Sequence, residues 1–275
     1  MKLILALFTF LLLFSCNETN SNQAAMASNA ERKQLTNLEE TNTPPAETLV
    51  MDSTISLDFL MGKFNPNKDS NFIPIKNKYA SRTGMLLHKE TMEAFIKMYN
   101  AAKQDGINLV IKSATRNFNS QKGIWEGKWN GTRKIENGKN AKTTYPNPKT
   151  RALKILEYSS MPSTSRHHWG TDIDINNFTN EYFEKGKGKK EYDWLKNNAS
   201  TFGFYQPYTK KGAERPHGYN EEKWHWSYLP LSKKYIDQMK LRMKDDLVKG
   251  FQGSETAKEI GVVEKYILGI NHECL

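Results

Sequence analysis

Two stretches carry side chains able to do chemistry together: Ser165-Arg-His-His-Trp-Gly-Thr-Asp-Ile-Asp-Ile175 and Glu222-Lys-Trp-His-Trp-Ser-Tyr228. They hold three of the six histidines and three carboxylates. His167 and Asp174 lie seven residues apart, His225 follows Asp174 by fifty-one, and Glu222 precedes His225 by three. Two imidazoles and a carboxylate are a common ligand set for a catalytic zinc, which keeps a further position open for water. A separate carboxylate beside that water can take its proton. The chemistry this set implies is metal-assisted hydrolysis.

The elements that must position these groups are short. Thr171 to Ile175 alternates polar and apolar residues, the period of a strand, so Asp172 and Asp174 share a face. The aromatic run around His225 reads as a second strand. Ile107 to Lys112 reads as a buried strand delivering Ser113-Ala-Thr-Arg116 at its end. Upstream, His88 to Lys103 spaces Met92, Phe95, Ile96, Tyr99 and Ala102 helically, and Asp105-Gly106 closes the run. Further helices are predicted over Gln121–Trp129, Thr150–Tyr158, Lys190–Ala199, 231–250 and 255–268, with a strand over Phe202–Tyr205. Residues 130–150, rich in Gly, Asn, Lys, Thr and Pro, read as a loop insertion, a length that suggests a lid or substrate-binding edge.

The amino terminus argues for export. Leu3 to Phe14 is an apolar run behind one lysine, the h-region of a secretory signal and short for a membrane span. It ends at Leu13-Phe-Ser-Cys16, which resembles a lipoprotein cleavage site and implies lipid on Cys16. Residues 16–50 carry almost no large apolar side chains and read as a disordered tether. The zinc-site domain is then expected over 51–250, with 251–275 a C-terminal helical extension. Of 40 basic and 30 acidic residues, only three and five fall in the first fifty, so the remaining 225 net +12. A basic body favours anionic partners such as wall polymers, lipid headgroups or nucleic acid; export argues against the last. With Cys16 lipidated, Cys274 is left unpaired, which excludes a disulfide-stapled scaffold.

Ser165-x-His167-x-x-Gly170-x-Asp172-x-Asp174 resembles the S-x-H-x-x-G-x-A-x-D signature of the zinc D-alanyl-D-alanine carboxypeptidases of the VanY type, and Glu222-Lys-Trp-His225 resembles their E-x-W-H signature. Ser113-Ala-Thr-Arg116 with Gln121 resembles the upstream Y-R-S…Q region more loosely. The resemblance covers roughly residues 80–230. It departs at Asp172, where Ala is usual, at Lys223, where Pro is common, and at Asn117, where Ser is usual. It implies an α+β fold of the Hedgehog/DD-peptidase type, a small mainly antiparallel sheet with packed helices whose strands carry Arg116, Asp174 and His225.

The same resemblance makes His167, Asp174 and His225 ligands of one Zn2+, Glu222 the general base and Arg116 the stabiliser of the oxyanion. Glu221 is the neighbouring alternative to Glu222. Ser165 and Gln121 become candidates for holding the substrate's terminal carboxylate or amide. His168, on an extended segment, would point away from the metal, and Asp172 would either replace a ligand or accept a hydrogen bond from an imidazole. Trp224 and Trp226 read as packing around the metal. The implied reaction is hydrolysis of a D-Ala-D-Ala type bond in peptidoglycan stem peptides by a monomer. Cleavage of an L-Ala–D-Glu bond by the same metal site is the enzymatic alternative. A zinc-stabilised binding module is the non-enzymatic one, and the presence of Glu222 argues against it.

Overall fold

The computed structural model describes residues 49–275. The leader, Cys16 and the tether up to residue 48 lie outside the described residues.

The chain enters through a single helical turn, α1 (Leu57–Leu60), capped by the Ser56 hydroxyl. A two-stranded antiparallel ribbon follows, β1 (Phe72–Pro74) with β2 (Leu86–His88), and β2 runs directly into α2 (Lys89–Gln104). The main sheet has four antiparallel strands in the order β3 (Ile111–Ser113), β4 (Asp172–Ile175), β6 (His225–Tyr228) and β5 (Phe204–Tyr205). Between β3 and β4 lie α3 (Phe118–Trp129), α4 (Ala141–Thr144) and α5 (Pro148–Ile155). α6 (Gly186–Asn198) precedes β5, while α7 (Leu229–Arg242) and α8 (Thr256–Ile260) follow β6. This is the α+β arrangement expected. Among the described residues no helix is long and apolar enough to cross a membrane.

Alternation in β4 sorts its side chains. Ile173 and Ile175 join Trp226, Ile111 and Phe204 in an apolar cluster with Phe95 and Met98 of α2 and Leu195 of α6. Asp172 and Asp174 therefore face the other way, toward a second cluster containing Trp125, Trp169, Tyr208, Tyr219 and Met239. The sheet is buried on both faces, and its polar face has to satisfy itself with partners from the protein.

Several elements differ from their sequence reading. Strand β3 starts at Ile111 instead of Ile107, and Arg116 lies three residues beyond its end. α7 starts at Leu229, with Pro230 in its first turn, and stops at Arg242 because Met243 is extended. The 255–268 helix breaks at Gly261, whose φ is +72°, into α8 and a π-helical turn, Val263–Ile267. Residues 130–150 are not a bare loop: Asn140 and Asn147 cap α4 and α5 through their side chains, and Ile135 and Ala141 are buried in the second cluster. Residues 251–275 place Phe251, Val262, Ile267 and Cys274 in that same cluster.

Candidate active site

The register of the sheet assembles the site. Asp174 pairs with Ser113 on one side and His225 on the other, so three polar residues stand in one row across β3, β4 and β6. His167 comes from a 3-10 turn, Arg166–Trp169, that ends at Gly170. Gly170 has φ +69°, and a Cβ there would stand 2.4 Å from the Phe72 ring and 3.0 Å from the His88 nitrogen, so only glycine fits this turn into β4. Ligand-capable atoms of His167, Asp174 and His225 all lie within 4.8 Å of one another, and all three residues are buried.

Hydrogen bonds set which ring nitrogen each imidazole presents. The Nδ1–H of His167 donates to the Ala114 carbonyl at 2.9 Å, leaving Nε2 toward the Asp174 Oδ2, 3.4 Å away. His225 is turned the other way. Its Nε2–H donates to the Asp172 Oδ1 at 3.0 Å, and its Nδ1 lies 3.0 Å from the Glu222 Oε2 and 3.5 Å from the Asp174 Oδ1. The Asp174 Oδ1 is buried and has no hydrogen-bond partner. A carboxylate with one oxygen toward the His167 Nε2 and its other, unpartnered oxygen toward the His225 Nδ1 gives the donor set of a zinc or similar divalent ion, and the residues present fit one.

Charge pulls on these groups from several directions. Burial works against an ionised Asp174, but the two imidazoles and the Arg116 guanidinium hold its pKa well below the ordinary carboxylate range. Burial would lower His225 too, yet its hydrogen bonds to Asp172 and Glu222 carry it above the usual imidazole value. A metal arriving at Nδ1 competes with that proton. Glu222 moves upward, chiefly through burial and against the pull of His225, which suits a carboxylate that must accept a proton.

Asp172 is fully saturated. Its Oδ1 accepts from the Arg166 Nε (2.9 Å) and the His225 Nε2, while its Oδ2 accepts from the hydroxyls of Thr171 (2.6 Å) and Ser227 (3.0 Å). With four donors on two oxygens it has no lone pair directed at a metal, so of its two readings it takes the one of a partner that orients an imidazole. Arg166, absent from the sequence reading, neutralises it: both are buried, and the guanidinium also donates to Ser227 and lies over Trp169. The available signal was the carboxylate itself, since an aspartate on a buried strand face requires a cation nearby.

Arg116 leaves β3 and is strapped to the histidine turn. Its N–H donates to the His167 carbonyl, and its carbonyl accepts from the His168 Nδ1–H at 2.6 Å. The other ring nitrogen of His168 accepts from the Ser163 N–H, so both its nitrogens are engaged, and burial drops its pKa to about 3. His168 does point away from the metal ligands, from a 3-10 turn and not an extended segment. Around the Arg116 guanidinium, Nε donates to the Gln121 Oε1, Nη1 donates to Ser113 and lies 3.6 Å from Asp174, and Nη2 has no protein partner among the described residues.

Gln121 is 1 % exposed; its carbonyl oxygen holds Arg116 and its amide N–H donates to the Ser160 carbonyl. Ser165 is equally buried, and its hydroxyl neither finds a partner nor reaches the cavity. Trp226 lies in the first apolar cluster, while Trp224 packs beside Tyr158 at the cavity wall.

Arg116, Gln121, His167, Asp174, Glu222 and His225 line a cleft of about 940 Å³ that also exposes Lys112, Lys128, Tyr158, Ser159 and Phe178, with Arg133, Glu136 and Asn137 contributed by the 130–150 segment. Glu222 lines it and Glu221 does not. A ligand triad, a carboxylate and a guanidinium on one wall of a cleft are the parts a metal-dependent peptidase requires. The model of the VanY family, D-alanyl-D-alanine carboxypeptidase, matches residues 84–231, and the chain belongs to that family. The protein YodJ of Bacillus subtilis (strain 168) is 27% identical over 147 residues, which are 52% of this chain and 46% of its own length, so the match spans about half of that relative. Among solved structures, VanYB in complex with D-alanine-D-alanine is 20% identical with a TM-score of 0.46, covering 73% of this chain and 89% of the other. The LdcB LD-carboxypeptidase gives 20% identity and a TM-score of 0.46, over 74% of this chain and 81% of the other.

Proposed function

We propose that this chain is a zinc D,D-carboxypeptidase that removes the terminal residue from D-Ala-D-Ala type ends of peptidoglycan stem peptides. One observation carries the reading. Three ligand-capable groups converge within 4.8 Å, and a fourth group, the buried carboxylate of Glu222, stands beside them with its proton affinity raised. His167 through Nε2, Asp174 through its carboxylate and His225 through Nδ1 would hold a single Zn2+. When bound, the ion lowers the pKa of a water molecule and polarises the carbonyl under attack.

The protein's own groups do the rest. Glu222 takes a proton from the attacking water and returns it to the leaving amine, both transfers being within reach of one buried carboxylate. Arg116 presents Nη2 to the carbonyl oxygen as that atom gains negative charge, and Gln121 and Ser113 keep the guanidinium from turning away. Asp172 holds His225 in the tautomer that frees Nδ1. The basic body suits an anionic wall polymer, and export with lipid on Cys16 would place the enzyme at its substrate.

The deciding experiment is mass spectrometry of a peptidoglycan pentapeptide incubated with the zinc-loaded protein, with and without a chelator. Loss of one alanine, blocked by the chelator, is the expected result. Cleavage at an L-Ala–D-Glu bond would move the specificity within the same site. Intact peptide in the presence of stoichiometric zinc would overturn the enzymatic reading.

A further inference from the structure

By sequence, Ser165 and Gln121 are candidates for holding the substrate's terminal carboxylate or amide, and the structure keeps Ser165 out of the cleft and engages most of Gln121 elsewhere. Gln121 lines the cleft, with its carbonyl oxygen on Arg116 and one amide N–H on the Ser160 carbonyl. The carboxylate-binding role is therefore open, and the cleft holds an unused cation. Lys128 sits in the last turn of α3 and lines the cavity. Its only hydrogen-bond partner among the described residues is the Ser159 hydroxyl, at 2.6 Å, and no carboxylate lies within ion-pair distance. Burial pulls its pKa below the ordinary lysine value, while the fields of Glu136 and Glu222 act in the other direction. A half-buried ammonium resting on a neutral hydroxyl retains two N–H donors and a charge to be matched. Of the other cations lining the cleft, Arg82 and Arg133 are solvent-exposed, Lys112 is half-buried, and Arg116 is committed beside Asp174.

We infer that Lys128, with the Ser159 hydroxyl beside it, closes one end of the cleft and anchors a carboxylate of the substrate, the free C-terminal carboxylate of the residue to be released. This rests on the peptidase reading above and deepens it. A cation closing the pocket suits removal of a terminal residue, whereas cleavage inside a longer peptide needs an open groove. Glu222, one of the carboxylates whose field reaches Lys128, delivers the proton to the leaving amine, and that amine is separated from the terminal carboxylate by a single carbon. The chemistry shared by every occupant of this spot is a carboxylate; a side-chain carboxyl of the stem peptide is the other source.

The test compares three peptides ending in D-Ala-D-Ala: one with all carboxyls free, one amidated at the C-terminus, and one amidated only at its side-chain carboxyl. Wild-type protein is expected to prefer the free C-terminus over its amide, and Lys128→Met to reduce that preference toward one. The fall in kcat/KM on the free acid should be about 10- to 100-fold, the range of a hydrogen bond to a charged group, and should appear mainly in KM. Lys128→Arg should restore most of it. Calorimetry on zinc-loaded Glu222→Gln protein with N-acetyl-D-Ala-D-Ala supplies a readout free of turnover: affinity should fall when Lys128→Met is added, at unchanged zinc content and melting temperature.

A preference that survives Lys128→Met, or that collapses instead in Lys112→Met, overturns the assignment while leaving the peptidase intact. Sensitivity to the side-chain amide alone would refute the C-terminal source. Failure of the wild type to cleave any of the three peptides would remove the peptidase reading and this inference with it.

Discussion

Two walls of one cleft are built on opposite terms. Behind the wall made by β4 and β6 the support is satisfied: Asp172 accepts four hydrogen bonds, the buried Arg166 neutralises it, and both imidazoles of the candidate triad have one nitrogen tied down, which leaves the Asp174 Oδ1 as the open acceptor. The wall made by α3 and the segment after it leaves charge unmatched, with Lys128 resting on a hydroxyl. The difference teaches what folding can complete by itself. A buried strand face has to pair its carboxylates or the sheet is destabilised. A helix end at the rim of a cleft keeps partial access to water, so it can hold a cation in reserve for an incoming ligand.

The comparison can be broken at several points. The largest effect is expected at the proposed general base: Glu222→Gln should keep bound zinc, measured by atomic absorption, and lose hydrolysis by about 10²- to 10⁴-fold, the span of general acid–base catalysis. His225→Ala should instead lower zinc content together with activity, and a fully metallated, active variant would remove His225 from the site.

Next comes the saturated wall. Asp172→Asn strands Arg166 in the interior and should destabilise the fold by about 3–5 kcal/mol, read from denaturant unfolding. The same change should weaken metal binding by about 10- to 100-fold through loss of the charged carboxylate that orients the imidazole. Pairing it with Arg166→Met sharpens the comparison. Stability should then largely return while metal affinity stays low, because the second change removes the stranded charge while His225 still faces a neutral amide in place of its carboxylate.

Gly170→Ala should cost about 1–3 kcal/mol for the left-handed backbone alone, with the Phe72 contact added to it. The smallest stability effect belongs to the other wall: Lys128→Met should shift unfolding by no more than about 0.5 kcal/mol, as for a partly exposed side chain whose one partner is a neutral hydroxyl. If Lys128→Met destabilised as much as Asp172→Asn, the contrast between the walls would fail.

Much of the site is legible in the residue pattern. Strand alternation places Asp172 and Asp174 on one face, and the two histidine motifs supply their imidazoles at spacings that a small antiparallel sheet can bring together. Such patterns are local, set by side-chain period and by the few residues tolerated at a turn like Gly170. The helix over residues 88–103 is legible for the same reason. The boundaries that fail are those where long-range packing prevails. Residues 130–150 look like a loop because their composition is polar, yet two residues, Ile135 and Ala141, suffice to bind the segment to the core. The helix read over 231–250 stops at Arg242, since a periodic pattern does not show where the chain turns extended.

By itself the sequence determined the kind of chemistry this protein is equipped for: two imidazoles, an aspartate and a separate glutamate, on elements whose pattern points them one way. Only the tertiary structure decided how those groups are held. The partners of Asp172, the commitment of Gln121 to Arg116, the withdrawal of Ser165 from the cleft and the unmatched charge of Lys128 depend on contacts between residues far apart in the chain. The physical reason is that a hydrogen bond fixes a tautomer, or uses up a donor, only at a distance of about 3 Å. Residue type and spacing constrain which groups face one another; three-dimensional packing sets whether they come that close.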